Sequence, residues 1–158
     1  MALISGCAVN WVNSPSSLVK KVRYHHDGPP VITLFTMINN KTDAGAHRSL
    51  LINASQRVIF DPAGTLKHDI LIEQGDVPFG VTPKFDDFYT RVHVCQIFHV
   101  VLQSIEVTDG VAEMDLDLAM CNGAVARALG AMSISQLLGK LPEFETISTT
   151  YFPQTMRQ

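Results

Sequence analysis

Three residues carry the side chains needed for nucleophilic chemistry: Cys121, His47 and Asp61. Small residues follow Cys121, and apolar residues then recur at helical spacing, which predicts that the cysteine lies at a helix start. At that position, unpaired backbone N–H groups and the positive end of the helix dipole favour a thiolate over a thiol. The sequence therefore predicts an activated cysteine, and His47 is the candidate general base.

His47 and Asp61 are expected to lie side by side in a β-hairpin. His47 stands near the start of a strand-like run at 46–53, and a second run at 57–60 ends at Asp61. A short polar turn at 54–56 joins the runs, which is typical of antiparallel strands. A carboxylate beside one imidazole nitrogen fixes the tautomer and leaves the other nitrogen free to accept the thiol proton.

The elements that would position these residues follow from hydrophobic periodicity and capping signals. Besides the hairpin, strands are predicted at 31–38, 92–102 and 146–152. Helices are predicted after the capping cluster at 13–17, at 85–89 and from Thr108 onward. Together these elements predict an α+β domain in which a small antiparallel sheet packs against the helix that carries Cys121.

The helix that begins at Thr108 reaches the Cys121 segment without a Gly, Pro or polar linker. Two helices at an angle usually need a few connecting residues. Two alternatives therefore stay open. Either a mobile loop before Met120 is missing from this sequence, or one continuous helix runs through Cys121.

Composition excludes several classes of function. The chain has 158 residues, of which 46% are hydrophobic and 17% charged, as expected for a single folded domain with a real core. A net charge of −3 offers no broad attraction for nucleic acid or for an anionic membrane. No apolar run reaches the roughly 18 residues that a membrane-spanning helix needs. Neither nucleic acid nor a membrane is therefore expected as the main partner.

The remaining cysteines and histidines do not predict a metal or cofactor site. Three cysteines are too few and too scattered for a disulfide framework or a zinc ribbon. Cys95, within an apolar run, is expected to be an inert core thiol. The adjacent His25 and His26 would point to opposite faces of a strand, and no third ligand lies nearby, so a solvated turn is expected there.

The first seven residues raise the question of a lipid anchor. Residues 3–7, LISGC, read like the end of a bacterial lipoprotein signal, in which Cys7 would be lipidated. Only six residues precede Cys7, and a working signal needs a basic stretch and an apolar segment of about 7–15 residues. Either the start is trimmed or the match is chance. In the first case the protein works in the cell envelope or periplasm, and in the second it is cytoplasmic or a secreted effector.

The order of these parts resembles the circularly permuted branch of the NlpC-type papain-like cysteine hydrolases. The resemblance covers roughly residues 31–129. Its motifs are AHRSLLI at 46–52, RVIFDPAG at 57–64 and CNGAVARAL at 121–129. In the ordinary branch the cysteine helix precedes the histidine strand, whereas here the order is reversed, as in the lecithin retinol acyltransferase-like members. The resemblance implies an N-terminal segment at 1–30 and a permuted papain-like catalytic domain at 31–158.

Carried over to this chain, the resemblance implies Cys121 as the nucleophile and His47 as the general base and later the general acid. Asp61 is our choice for the polar group that orients the imidazole. Asn53, His68 or a backbone carbonyl are the alternatives. The backbone N–H of Cys121 would contribute to binding the oxyanion.

The implied function is a thiol hydrolase that forms an acyl-enzyme on an amide bond, in a cell-wall peptide such as a peptidoglycan fragment. No cofactor is implied. Permuted relatives that act on lipids suggest an acyltransferase or lipid (thio)esterase as an alternative. A secreted antibacterial toxin would share the chemistry of the cell-wall hydrolase. A non-catalytic envelope scaffold or binding protein is a further alternative, because a fold does not determine an activity.

Overall fold

The computed structural model describes residues 13–64, 66 and 71–151. Within these residues the chain forms six strands: β1 (Val31–Asn39), β2 (Gly45–Asn53), β3 (Arg57–Phe60), β4 (Glu73–Gln74), β5 (Val77–Pro78) and β6 (Phe98–Glu106). The same residues form four helices: α1 (Ser16–Val22), α2 (Pro83–Val92), α3 (Asp109–Asn122) and α4 (Gly130–Leu138). The main sheet has the order β3-β2-β1-β6 and is antiparallel throughout, while β4 and β5 pair separately. The fold is therefore α+β with an antiparallel sheet, as the sequence predicts.

The hairpin of β2 and β3 forms where the sequence predicts it. The two strands pair from Asn53 with Arg57 to Leu50 with Phe60, across the polar turn at 54–56. The predicted strand at 31–38 is β1, which pairs with β2 on one side and with β6 on the other. This register brings the residue after Phe60 beside the first half of β2.

Alternating side chains of the sheet fill two separate apolar clusters, because successive residues of a strand point to opposite faces. On one face, strand residues pack with α3 and α4 in the larger cluster, which includes Leu34, Leu50, Ile52, Phe60, Leu116 and Ile134. On the other face, strand residues pack with α2 in a cluster of Phe35, Leu51, Ile59, Val81 and Tyr89. Burying each large apolar side chain contributes about 1.5–3 kcal/mol. The sheet is thus held between helices on both faces.

Helix α3 is continuous through Cys121, which confirms the single-helix alternative. Thr108 caps its start, as predicted, by accepting a hydrogen bond from a backbone N–H of the first turn. The prediction that Cys121 begins a helix is wrong. The helix ends at Asn122 because Gly123 takes a φ of 70°, and the next helix begins only at Gly130.

The predicted strand at 92–102 is only partly correct. Val92 is the last residue of α2, His93 is its C-cap, and β6 begins at Phe98. The helix is favoured over the strand because Thr82 caps its first turn and a proline follows at the first helical position. Cys95 lies between the two elements and is exposed, so the prediction of a core thiol is wrong.

The terminal regions show a mixed outcome. The short helix predicted after 13–17 is α1, and the helical turn predicted at 85–89 lies within the longer α2. Residues 146–151 form no strand in the described part of the chain, so the predicted edge strand is wrong there, and residue 152 lies outside the described ranges. Cys7 and His68 also lie outside them.

The two histidines near the N-terminus directly precede a bend at 27–28, where His25 is exposed and His26 is half-buried. His26 Nδ1 accepts a hydrogen bond of 3.0 Å from the backbone N–H of Gly28. Among residues 13–64, 66 and 71–151, no group of three or more His, Cys, Asp or Glu side chains is arranged to hold a metal ion. In the same ranges, none of the helices has the length and apolar character required to span a bilayer.

Candidate functional site

His47 and Asp61 are hydrogen-bonded to each other. His47 Nε2 lies 2.5 Å from Asp61 Oδ1. Asp61 directly follows β3, one position beyond the pair of Phe60 with Leu50, and the pleat brings its side chain to the same face as that of His47. The His47 side chain is 20% exposed and that of Asp61 only 6%. The hairpin therefore places His47 and Asp61 side by side, as the sequence predicts, with the imidazole at the surface and the carboxylate buried.

This contact determines which nitrogen of His47 is available for chemistry. A carboxylate only accepts hydrogen bonds, so Nε2 carries the proton of the neutral ring and donates it to Asp61. Nδ1 then presents its lone pair, and it makes no hydrogen bond to any other residue of the described ranges. An oriented imidazole with one free nitrogen has the geometry of a general base.

Two neighbouring side chains, Tyr89 of α2 and His93 at its C-cap, lie next to the His47–Asp61 pair. The ring of His93 stacks on that of His47, with centroids 5.9 Å apart and planes 10° from parallel. His93 Nδ1 donates a hydrogen bond of 2.7 Å to the backbone carbonyl of Tyr89. Burial, and then the charge of Asp61, raise the pKa of the Tyr89 hydroxyl well above its usual value of 10.0, so this group stays neutral near the carboxylate.

Sequence reasoning missed both neighbouring residues. Tyr89 and His93 are four positions apart and share one face of α2 and its C-cap, a spacing that indicates side-by-side placement only once a helix is recognised. The strand predicted from residue 92 onward placed His93 in a different element from Tyr89, so the helical spacing of the two residues was not recognised. The capping threonine before Pro83 was the available signal.

A single carboxylate holds together the two segments beside His47. Asp76 Oδ2 accepts a hydrogen bond of 2.8 Å from the N–H of Ala63 and one of 2.7 Å from the N–H of Val125. Hydrogen bonds to a charged acceptor are stronger than neutral ones. Asp76 therefore fixes the segment that follows α3 against the loop that follows Asp61.

A cleft of about 440 Å³ opens beside the imidazole, between β2, the loop after Asp61 and the segment before α4. Its size lies within the usual range of small-molecule sites. The lining includes His47, Arg48, His93, Arg127, Gly130 and Tyr151. His47 is therefore among the residues that a molecule bound in the cleft would contact.

Backbone irregularities gather around this cleft. The β1–β2 ladder shifts register just beyond the pair of Met37 with His47, and such irregularities re-aim neighbouring side chains. Ala63 and Ala128, which line the cleft, have φ values of 60° and 71°. A non-glycine residue in this region costs energy, and such residues occur preferentially at functional sites.

Cys121 is not brought into this cleft. It is exposed at the carboxyl end of α3, where backbone carbonyls rather than N–H groups are free, so the predicted stabilisation of a thiolate by a helix start is wrong. Within the described residues, no hydrogen bond joins its sulfur to His47, and it does not line the cleft. A helix start does border the cleft, but Gly130 and Ala131 of α4 form it.

The other candidates for the orienting group are not placed beside His47. The side-chain amide of Asn53 donates a hydrogen bond of 2.7 Å to the carbonyl of Pro29, at the opposite end of β2. His68 lies outside the described ranges. Among the residues that the structure describes, Asp61 is therefore the one whose side chain hydrogen-bonds to the imidazole.

Gly64 allows the carboxylate of Asp61 to take this position. A Cβ at residue 64 would overlap the Oδ2 and Cγ atoms of Asp61. Gly64→Ala is therefore expected to push the carboxylate off His47 and to lower the free energy of unfolding by about 1–3 kcal/mol. Denaturant unfolding measures the loss, and the ring resonances of His47 in NMR spectra report the broken hydrogen bond.

Gly110→Ala is the matched control for Gly64→Ala. Gly110 lies in the first turn of α3, and a Cβ there would meet no atom within 4 Å. Its replacement should leave stability unchanged or raise it by up to about 1 kcal/mol. Equal unfolding midpoints and unchanged His47 resonances in both variants would contradict the positioning role of Gly64.

Comparisons with known proteins return no match to this chain, whether with family models, curated proteins or solved structures. The resemblance to permuted NlpC-type hydrolases therefore rests on the three short motifs and their order. What the fold and the site define is an α+β protein with a buried carboxylate, an oriented imidazole and an open cleft beside them.

Proposed function

We propose that the protein is a hydrolase that cleaves an acyl bond, an amide in a peptide, with His47 as general base and Asp61 as the group that orients it. The single observation that carries this proposal is the 2.5 Å contact of His47 Nε2 with Asp61 at the edge of an open cleft. Such a pair leaves Nδ1 free to accept a proton during attack and to return it to the leaving group.

In the proposed reaction, one proton passes from the nucleophile to His47 and then to the leaving group. Nδ1 of His47 takes the proton of the nucleophile, the nucleophile adds to the carbonyl carbon, and the resulting imidazolium is stabilised by Asp61. The first N–H groups of α4 have no side-chain cap and offer hydrogen bonds to the developing oxyanion. Collapse of the intermediate breaks the bond to the leaving group, which receives the proton from His47. Where the nucleophile is a thiol, a water molecule activated by Nδ1 of His47 then hydrolyses the acyl-enzyme and releases the thiol.

The identity of the nucleophile is the second part of the proposal. The family resemblance assigns it to Cys121 and assigns the substrate to cell-wall peptides. For that role, the last turn of α3 would have to move so that the sulfur of Cys121 reaches Nδ1 of His47. A water molecule activated by Nδ1 is the alternative nucleophile and requires no shift.

A second candidate function is a binding protein without catalysis. The observation that favours it is the exposed position of Cys121 at the end of α3, outside the cleft. In that case the polar pair and the cleft would recognise a ligand rather than react with it.

Product formation from purified cell-wall fragments, and in parallel from short-chain phospholipid, tests the proposed hydrolase. The variants are His47→Ala and Cys121→Ala, with Cys95→Ala as the matched exposed cysteine. Loss of product in His47→Ala and Cys121→Ala, with product retained in Cys95→Ala, supports a thiol hydrolase that acts on the substrate that is cleaved. Loss in His47→Ala alone supports attack by water. If wild type releases no product from either substrate, the hydrolase proposal is wrong and the binding protein is favoured.

A further inference from the structure

Among the described residues, the cleft beside His47 is lined by basic side chains and by no carboxylate. Its lining includes the basic side chains of Arg127, His47 and His93 and the phenol of Tyr151, whereas Arg48 is only 2% exposed. Asp61 lies beneath the imidazole, is only 6% exposed and is paired with His47. A concave surface lined by one sign of charge attracts ligands of the opposite sign.

Arg127 is the basic group best placed to meet a ligand. It is exposed and makes no hydrogen bond or ion pair with another residue of the described ranges. By contrast, Arg57 is paired with Asp86 at 2.7 Å, and Arg91 is paired with Asp87 at 2.8 Å. A guanidinium that lines a cleft and is not engaged elsewhere can bind a planar oxyanion through two parallel hydrogen bonds.

The backbone around Arg127 is held in place. Asp76 fixes Val125, two residues before it, and the N–H of Leu129 donates a hydrogen bond of 3.1 Å to the carbonyl of Ala126. A Cβ at Gly130 would lie 2.7 Å from the carbonyl oxygen of Pro62, so α4 approaches the loop after Asp61 as closely as a glycine allows. Arg127 is therefore presented to the cleft from a fixed segment.

We propose that Arg127 binds the terminal carboxylate of a short peptide substrate, so that the bond cleaved lies close to the carboxyl end of the chain. This inference rests on the proposed function and names the substrate class of the same site. The terminal carboxylate is the anion that every unmodified peptide carries. The cleft volume of about 440 Å³ suits a short peptide end rather than a folded protein.

Binding of two blocked dipeptides, measured by calorimetry on the full chain, tests the proposal without requiring turnover. The probes are N-acetyl-alanyl-alanine and its C-terminal amide, each in the L,L and D,D forms. Wild type should bind the carboxylate form about tenfold tighter than the amide in at least one stereochemical series. Arg127→Gln should remove this preference, Arg127→Lys should restore part of it, and Arg91→Gln should keep it.

Several outcomes would overturn the proposal. Equal affinity of wild type for carboxylate and amide, no binding of either probe, or an unchanged preference in Arg127→Gln each contradict it. Inorganic phosphate bound through Arg127, with no binding of the carboxylate peptide, would assign the cleft to phosphate instead. A carboxylate preference in a protein that cleaves nothing would uphold the binding role of Arg127, while the hydrolase proposal and the position of a cleaved bond would fail, because binding is measured separately from product formation.

Discussion

Asp61→Asn is expected to lower kcat/KM of the proposed hydrolysis by about 10²- to 10⁴-fold, since an amide neither fixes the tautomer of His47 nor stabilises its charged form. The carboxylate is 6% exposed and does not line the cleft, so the loss should appear in kcat with little change in KM. Steady-state kinetics on the substrate identified from the cell-wall and phospholipid assays measure both constants.

Asp86→Asn is the matched control for this substitution. Asp86 also pairs with a cationic side chain, at 2.7 Å from Arg57 Nη2, and it lies on α2 outside the cleft lining. The variant should retain kcat and KM within about twofold, because neither Asp86 nor Arg57 lines the cleft. A folded Asp61→Asn variant with the kcat of wild type would show that His47 does not act as a base oriented by Asp61.

The hairpin and its polar pair were predictable because they depend on local patterns. Alternating and apolar runs separated by a three-residue polar turn indicate two antiparallel strands, and the register then follows from the turn. His47 and Asp61 are near the ends of those strands, so their proximity is a consequence of the hairpin alone. No contact with a distant part of the chain is needed to bring them together.

The predicted position of Cys121 is wrong because the glycine that follows it at 123 was interpreted as part of a helix start rather than as the end of α3. Gly123 follows Asn122 directly, and a glycine at this point is typical of a helix end with positive φ, as the structure shows. The apolar residues after it suggested a helix start instead. They belong to the segment that leads to Gly130, where α4 begins.

The cleft itself could not be predicted from local pattern. It depends on Asp76, which joins Ala63 to Val125 across long stretches of sequence, and on α2, which brings His93 over His47. Such contacts are set by tertiary packing, and periodicity carries no information about them. The role proposed for Arg127 depends on the same tertiary contacts and is not indicated by the sequence around it.

Asp115 is a buried carboxyl group in the part of α3 that packs on the sheet. It has no exposed surface, and neither side-chain oxygen has a hydrogen-bond partner among the described residues. Its neighbour Leu116 belongs to the larger apolar cluster. Desolvation by burial raises the pKa of Asp115 from 3.8 to about 7.

This raised pKa predicts that Asp115 destabilises the fold as the pH rises. Between pH 3.8 and about 7 the unfolded chain releases the proton while the folded chain retains it, so stability falls with pH across this window and the full loss is present above pH 7. A shift of this size corresponds to about 4 kcal/mol. Asp115→Asn should therefore be more stable than wild type by up to about 4 kcal/mol at pH 8 and close to it at pH 4.

Denaturant unfolding of both proteins at pH 4 and pH 8 measures this difference, and the subtraction removes the titration of groups that the two proteins share. Asp117→Asn, an exposed position on the same helix, is the control and should change stability by less than about 0.5 kcal/mol at either pH. A stability difference between Asp115→Asn and wild type that is the same at both pH values would mean that Asp115 ionises in the folded chain as readily as in water. Its carboxylate would then have to find a partner or solvent within the core, which contradicts the buried, unpaired position in α3.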